Sequence, residues 1–377
     1  MHGMIFRNAR IFTPDQGFVS GSFSVENGRF LDVCPGVDRP GNDLKQALVL
    51  PGLVDLHTHG AVGVEFSDST AEDVIRMGRF LAGQGVTSFA PTSLTRPYDE
   101  LRKAYAAALT VHRERPHDCA RVLGIHMEGP FFSEAKKGAQ NPAFLRKPDA
   151  DAVRTLFKES GGLLKIVDVA PELDGAEGFI RQVSQFCTVS LAHTAAVYET
   201  AADAIEAGAS HLTHLFNAMP PVHHRNPGVI GAASEAAGVT AELISDGLHV
   251  HPSAVRMAFR LFPERICLIS DSLACCGLPD GPYESGGQPV LLRDGVARLT
   301  DETIAGSAST LFECLQRAIS FGIDPGTAIT AATLRPAQVL GCAHQVGSIE
   351  PGKLADFLIC GEDYTLRQVY LGGKPIS

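Results

Sequence analysis

His57 and His59 in Leu53-Val54-Asp55-Leu56-His57-Thr58-His59-Gly60 are two apart at the end of an apolar run. On a strand such residues point to one face, so both imidazoles share one space. Further runs end in the same way. Gly124-Ile125-His126-Met127-Glu128-Gly129-Pro130 sets a carboxylate before a Gly-Pro break, and Leu191-Ala192-His193, His211-Leu212-Thr213-His214 and Ile269-Ser270-Asp271 follow. Neutral imidazoles with a carboxylate are the donors of a divalent transition metal: zinc first, with iron, manganese or cobalt as alternatives. His57, His59, Glu128, His193 and His214 are therefore candidate ligands for one ion or two, and Glu128 can bridge a pair. A bound ion acidifies water, and the released proton needs an acceptor. Asp271, on the last strand, is the candidate base and later acid. His126 shares a face with Glu128 one layer deeper, which suits support of the ligands rather than ligation. His211, three residues before His214, points the other way and reads as structural. Cys275 and Cys276 follow Asp271 with no base to activate them.

These residues meet only if the elements that carry them converge. Apolar runs ending near His59, Thr92, Glu128, Ala170, His193, His214, Asp246 and Asp271 alternate with helical patterns over 71–84, 98–113, 148–159, 174–186, 198–207, 252–261, 307–321 and 325–340. Eight βα units over about 290 residues are the signature of an α/β fold of the (β/α)8 TIM-barrel type, whose chemistry sits at the strand ends. A doubly wound sheet is the alternative, but no GxGxxG turn or P-loop follows the first strand. Outside this region, 4–12, 18–26 and 29–33 read as strands, with Asn27-Gly28 as a hairpin turn, and so do 355–360 and 369–371. Neither end suffices for a core alone. The expectation is a catalytic barrel at 53–343 and a small β-sandwich domain built from 1–52 with 344–377.

The chain has 377 residues, 45% hydrophobic and 20% charged, which is ample for a large core. Its net charge of −10 argues against nucleic-acid or anionic-membrane partners but not against a small anionic substrate. Nine cysteines without a CxxC pair exclude a zinc ribbon and fit a reducing cytoplasm. The N-terminus lacks the apolar stretch of a signal peptide, and no run approaches a membrane span.

Longer motifs carry a resemblance. Pro51-Gly52-Leu53-Val54-Asp55-Leu56-His57-Thr58-His59 resembles the first-strand motif of the amidohydrolase superfamily, and Gly347-Ser348-Ile349-Glu350-Pro351-Gly352-Lys353-Leu354-Ala355-Asp356 resembles its C-terminal β signature. His126-Met127-Glu128-Gly129-Pro130-Phe131, Lys136-Lys137-Gly138-Ala139, His214-Leu215-Phe216-Asn217-Ala218-Met219 and Ser245-Asp246-Gly247-Leu248-His249 are similar to segments of N-acetylglucosamine-6-phosphate deacetylases. The resemblance extends over essentially the whole chain. It implies release of acetate from an N-acetyl hexosamine 6-phosphate, with Glu128, His193 and His214 as the main metal ligands and Asp271 as the acid–base residue. It also implies that Asn217, Ala218, Arg225 and His249 hold the sugar phosphate. By the same resemblance Ala139 and Gln140 lie beside the sugar and acetyl group, and the Ile304, Ala305 and Gly306 backbone lines the pocket.

Gln140 stands where the family often has His. Its amide can donate a hydrogen bond but carries no proton or charge. Arg225 lies in loop 220–228 after a ligand strand, and a guanidinium fork suits phosphate. His223 and His224 beside it read as rim residues. The alternatives are the same deacetylation of N-acetylgalactosamine 6-phosphate, or another amidohydrolase acting on a small amide. A dihydroorotase or hydantoinase would bridge its metals with a carboxylated lysine at the end of strand four, whereas Lys165 sits early in that strand. The expected partners are a small sugar phosphate and a second copy of the chain in a homodimer.

Overall fold

The computed structural model describes residues 3–37 and 39–376. Its centre is a set of parallel strands: Leu53–Thr58, Val86–Ser93, Ile125–Phe131, Leu164–Val169, Thr188–Leu191, Ala209–Leu212, Thr240–Ile244 and Ile266–Ile269. They are called strands one to eight below, and neighbours in chain order are hydrogen-bonded. Strand eight meets strand one where Asp271 N donates to His57 O at 3.0 Å and His59 N donates to Ser272 O at 2.8 Å. The resulting ring of parallel strands fits the expected (β/α)8 barrel. Strands one, two and three are buried along their whole length, as strands covered on both faces must be.

Amphipathic helices cover the ring. Ala71–Gly83 starts at Thr70, which caps Asp73 N while Asp73 returns a bond to the Thr70 amide, and it buries Val74, Met77 and Leu81. Thr310 and Glu313 repeat this capping box at Leu311–Ser320. Two helical readings need correction. The helix expected over 325–340 is two helices, Pro325–Ala332 and Leu334–Val339. Pro336 has no N–H to offer the Ala332 carbonyl, so the helix breaks at Thr333. Gly228–Glu235 is a further helix for which no pattern was read.

The chain ends meet in one sheet. Leu48–Pro51 pairs in parallel with Met4–Thr13 and antiparallel with Phe357–Cys360, so it joins the N-terminal strands to the C-terminal ones. The expected sandwich of two packed sheets does not appear as such; the ladder is continuous and curls over its own face. Phe23 and Phe357 stand three strands apart in the ladder, roughly 14 Å in a flat sheet, yet their ring centroids are 5.1 Å apart. Phe6, Phe23, Phe30 and Phe357 are buried in the hollow. Four large rings lose their water contact only if a twisted sheet bends round them. The other face, through Phe12, Leu50 and Leu358, joins the core formed with the helices.

A three-stranded ribbon not anticipated from the sequence, Gly281–Ser285, Gln288–Arg293 and Val296–Leu299, follows strand eight. Its turns, Gly286-Gly287 and Asp294-Gly295, have positive φ at both central residues, the geometry of tight hairpins. Gly286 N donates to Glu65 Oε2 at 2.8 Å and Gln288 Nε2 to Ala139 O at 2.6 Å, which fixes the ribbon beside the strand ends.

Candidate metal centre and substrate cavity

Glu128 is the hub of the strand ends. Its Oε1 is 2.9 Å from His214 Nε2 and 3.1 Å from His193 Nε2, and those nitrogens are 3.1 Å apart. Its Oε2 is 3.3 Å from His59 Nε2. His57 Nε2 is 3.2 Å from His59 Nε2 and 3.9 Å from Glu128 Oε1. Asp271 Oδ1 is 3.2 Å from His59 Nε2 and 3.4 Å from His57 Nε2. All of these side chains are buried. Glu128 thus lies between a His193–His214 pair and a His57–His59 pair, with Asp271 against the second. His193, His214 and Asp271 have φ of 45°, 33° and 50°. A side chain in that left-handed region costs about 1–3 kcal/mol, and such residues gather at functional sites.

The hydrogen bonds behind the rings decide what the cluster can hold. His193 Nδ1 donates to Lys136 O at 2.8 Å and His59 Nδ1 to Thr92 O at 3.0 Å. Carbonyl oxygens only accept, so each neutral ring carries its proton on Nδ1 and a bare lone pair on Nε2. His57 Nδ1 faces the Glu242 carboxylate at 2.8 Å with the same result. Bare nitrogens therefore face one another and two carboxylates, an arrangement of acceptors that needs cations between them. His57, His59 and Glu128 form one group close enough to share an ion, and Glu128, His193 and His214 form another. This donor set fits a divalent metal. In place of an ion, protons on the rings balance the carboxylates. Burial pulls His214 down, but the Glu128 carboxylate outweighs it and lifts the ring to about 9. Burial likewise opposes charge on Glu128, yet His193, His214 and His59 hold it well below the usual carboxylate range.

Above the cluster opens a cavity of about 340 Å³. His59, Glu128, His193, His214 and Asp271 line its floor side, and Ala139, Gln140, Asn217, Ala218, His249, Ile304, Ala305 and Gly306 line it as well. The ribbon contributes Ser285 and Leu299 to the wall. His57 lies beneath, fully buried. Arg225 is the one expected site residue set apart. It is exposed on the loop after Met219, outside the cavity lining, and its amide donates to His223 Nδ1 at 3.3 Å. His223 and His224 are exposed beside it.

The sequence profile of the amidohydrolase family matches residues 48–376. The chain belongs to the amidohydrolase family. N-acetylglucosamine-6-phosphate deacetylase of Bacillus subtilis is 35% identical over 372 residues, covering 96% of this chain and 93% of that one. N-acetylgalactosamine-6-phosphate deacetylase of Escherichia coli O157:H7 is 34% identical over 332 residues, covering 88% of each. The solved N-acetyl-D-glucosamine-6-phosphate deacetylase of Mycobacterium smegmatis, in complex with N-acetyl-D-glucosamine-6-phosphate, superposes with a TM-score of 0.93 at 30% identity over the whole of both chains.

Four side chains of this amidohydrolase have contacts that the sequence did not reveal. Glu242 on strand seven stands behind His57. Asp168 on strand four accepts from His126 Nε2 at 2.8 Å, which places His126 in support of the centre rather than in it. Asp246 takes three bonds, from His249 Nδ1 at 2.6 Å and from the Leu248 and His249 amides at 2.9 Å each, and so fixes the His249 ring at the cavity wall. Gln140 accepts from Thr95 N at 2.8 Å and donates to Glu128 Oε2, so one of its two N–H groups is committed to the centre rather than to substrate. The signal for Glu242 was available: a carboxylate inside the apolar run Thr240–Ile244 is costly unless it is paired. Lys165 is half-buried early in strand four, in a crevice with Arg115, Leu340 and Cys342, and contributes nothing to the centre.

Proposed function

We propose that this amidohydrolase removes the acetyl group from N-acetyl-D-glucosamine 6-phosphate to give D-glucosamine 6-phosphate and acetate. The observation that carries this reading is one cavity joining Glu128, His193, His214 and Asp271 to Asn217, Ala218 and His249. Relatives 35% and 33% identical over 96% and 99% of the chain are named for that reaction, and the solved Mycobacterium smegmatis structure holds N-acetyl-D-glucosamine-6-phosphate, which favours the glucosamine epimer.

A divalent ion held by Glu128, His193 and His214 supplies Lewis acidity toward an acetyl carbonyl and toward water. The chain's own residues do the rest. Asp271 accepts a proton from water as the oxygen attacks the carbonyl carbon, then passes it to the amide nitrogen as the C–N bond breaks. Burial raises the Asp271 carboxyl, but with protons on the His57 and His59 rings in place of an ion their charge outweighs it and keeps the group below its usual range. On the loop that leaves the cluster, His214, Phe216 and Ala218 have φ of 33°, 77° and 53°. The His214, Leu215 and Asn217 amides already donate to Glu242 and to the His214 carbonyl, so main-chain contacts to a phosphate fall to Phe216 and Ala218. His249, braced by Asp246, faces the same space.

Arg225 stays in this reading as a phosphate contact that its exposed loop has to carry inward. Two divalent ions, zinc first, would be held by His57, His59 and Glu128 and by Glu128, His193 and His214. The paired chain ends form a small unit beside the catalytic barrel. No helix among the described residues is long and apolar enough to cross a membrane, and every cysteine is unpaired, which supports a cytoplasmic location. Val222, Met257 and Leu261 are exposed along one apolar depression, the face proposed for pairing two copies.

Acetate release on metal-analysed protein tests the function. N-acetylglucosamine 6-phosphate should far exceed its N-acetylgalactosamine epimer and plain N-acetylglucosamine in kcat/KM. Equal turnover of the phosphorylated and plain sugars would leave only a generic amidohydrolase. Arg225→Ala should weaken binding of the phosphorylated sugar by roughly 10- to 150-fold, the worth of a charged hydrogen bond of about 1.5–3 kcal/mol, and leave the plain sugar unaffected. An equal loss for both sugars would remove Arg225 from the phosphate site. His57→Asn decides the ion count. It should cost one ion per chain by elemental analysis, and an unchanged metal content would reduce the centre to Glu128, His193 and His214.

A further inference from the structure

Glu242 is wholly buried beneath the cavity. Its Oε2 accepts from His57 Nδ1 at 2.8 Å and from the His214 backbone amide at 3.2 Å. Its Oε1 faces His211 Nε2 at 3.2 Å and His126 Nδ1 at 3.6 Å. A single carboxylate oxygen on strand seven therefore touches the ring of one candidate ligand from strand one and the main chain of another after strand six. We infer that Glu242 is a positioning residue: it locks His57 with its Nε2 lone pair toward the metal centre, and its charge sets that centre to hold two divalent ions rather than one. This rests on the two-ion reading proposed above.

The first half follows from donors and acceptors. An ionised carboxylate only accepts, so His57 Nδ1 keeps its proton and Nε2 stays free. The opposite tautomer would aim an N–H at the His59 nitrogen and leave Nδ1 as a lone pair against Glu242. The second half follows from charge. Glu128, Asp271 and Glu242 bring three buried carboxylates together at and beneath the cavity floor. Of the other buried acids nearby, Asp168 is paired with His126 through Oδ1 and Asp55 accepts from the Ser270 hydroxyl at 2.6 Å; neither touches the His57–His59 or His193–His214 ring nitrogens. One divalent ion leaves a negative charge uncompensated in a medium where that is expensive, and a second ion removes the deficit.

A buried ion among His57, His126 and Glu242 is the competing assignment, because their donor atoms also lie close together. His126 speaks against it. Its Nε2 is bonded to Asp168 and its Nδ1 is nearer Leu56 O, at 3.2 Å, than Glu242. Neither nitrogen is left to ligate.

Two measurements test the inference. Nitrogen-edited NMR of the zinc-loaded wild type should show a downfield, exchange-protected proton on His57 Nδ1. In Glu242→Gln that proton should move upfield and exchange faster. A missing Nδ1 proton in the wild type, or an unchanged one in the variant, overturns the positioning role. Cobalt(II) titration by equilibrium dialysis should give two ions per wild-type chain. In Glu242→Gln the first should bind as before and the second roughly 10- to 100-fold more weakly, the usual effect of losing a partner behind a metal ligand. Two ions of wild-type affinity in the variant overturn the charge role, and three in the wild type assign the buried third site instead. One ion in the wild type overturns the two-ion reading itself, while the His57 proton still decides the positioning role. The wild-type spectrum serves even if the variant does not fold.

Discussion

Asp271→Asn, with its metal in place, is expected to bind the sugar phosphate almost as the parent does and to lose kcat by roughly 10²- to 10⁴-fold. Asparagine keeps the size and planar shape of the side chain, tolerates the left-handed backbone at this position, and leaves the Asp271 N to His57 O bond that joins strands eight and one. What it lacks is a site for a proton. Asp271 Oδ1 is 3.2 Å from His59 Nε2, on the open side of the cluster. Among the described residues no other carboxylate lines the cavity except Glu128, whose Oε1 is enclosed by His193 and His214. No second free carboxylate is there to take over the transfer, and His249 is tied to Asp246 at the cavity wall. The checks are elemental analysis for metal, calorimetry for substrate binding and initial rates for turnover. A kcat within tenfold of the parent would remove Asp271 from the proton path. A parallel loss of metal would make it a ligand instead.

Glu128→Gln should abolish metal retention. Both Glu128 oxygens are committed, one to the His193–His214 pair and the other toward His59, so a single residue serves both groups able to hold an ion. An amide has one oxygen to offer and no charge to set against a dication. It would also turn an N–H toward bare imidazole nitrogens and be satisfied there without an ion. The loss of affinity should exceed the roughly 10- to 100-fold attributed to outer partners of metal ligands. Dialysis against a weak chelator followed by elemental analysis reads it directly. Full occupancy in Glu128→Gln would sink the bridging assignment.

The positions of these residues were legible because each lies where an apolar run stops. That boundary is local, and parallel strands bring all such boundaries to one rim. The wall opposite was less legible. Asp294-Gly295 and the alternation of Val290 and Leu292 are hairpin signals, yet no element was assigned between Asp271 and the helical pattern that starts at 307. The curl of the terminal sheet was hidden for a different reason. Alternation tells which side chains share a face, not how far that face bends, and the bend is set by rings as distant in sequence as Phe23 and Phe357. Glu242, Asp168 and Asp246 went unread because their partners are fixed only by tertiary contact. Arg225 shows the limit from the other side. A motif placed it near phosphate, and the loop that carries it holds it at the surface.

His193, His214 and Asp271 share a backbone that few side chains accept willingly. Each would relax as glycine or asparagine, and each of those changes removes a metal ligand or the proton acceptor. Fitness for folding and fitness for chemistry therefore point in opposite directions at the same three positions. A lineage released from the need to hydrolyse its substrate would gain stability by losing its centre first. The barrel would outlast the enzyme, and a relative with an intact ring of strands but asparagine or glycine at these positions would mark a scaffold that had changed its occupation.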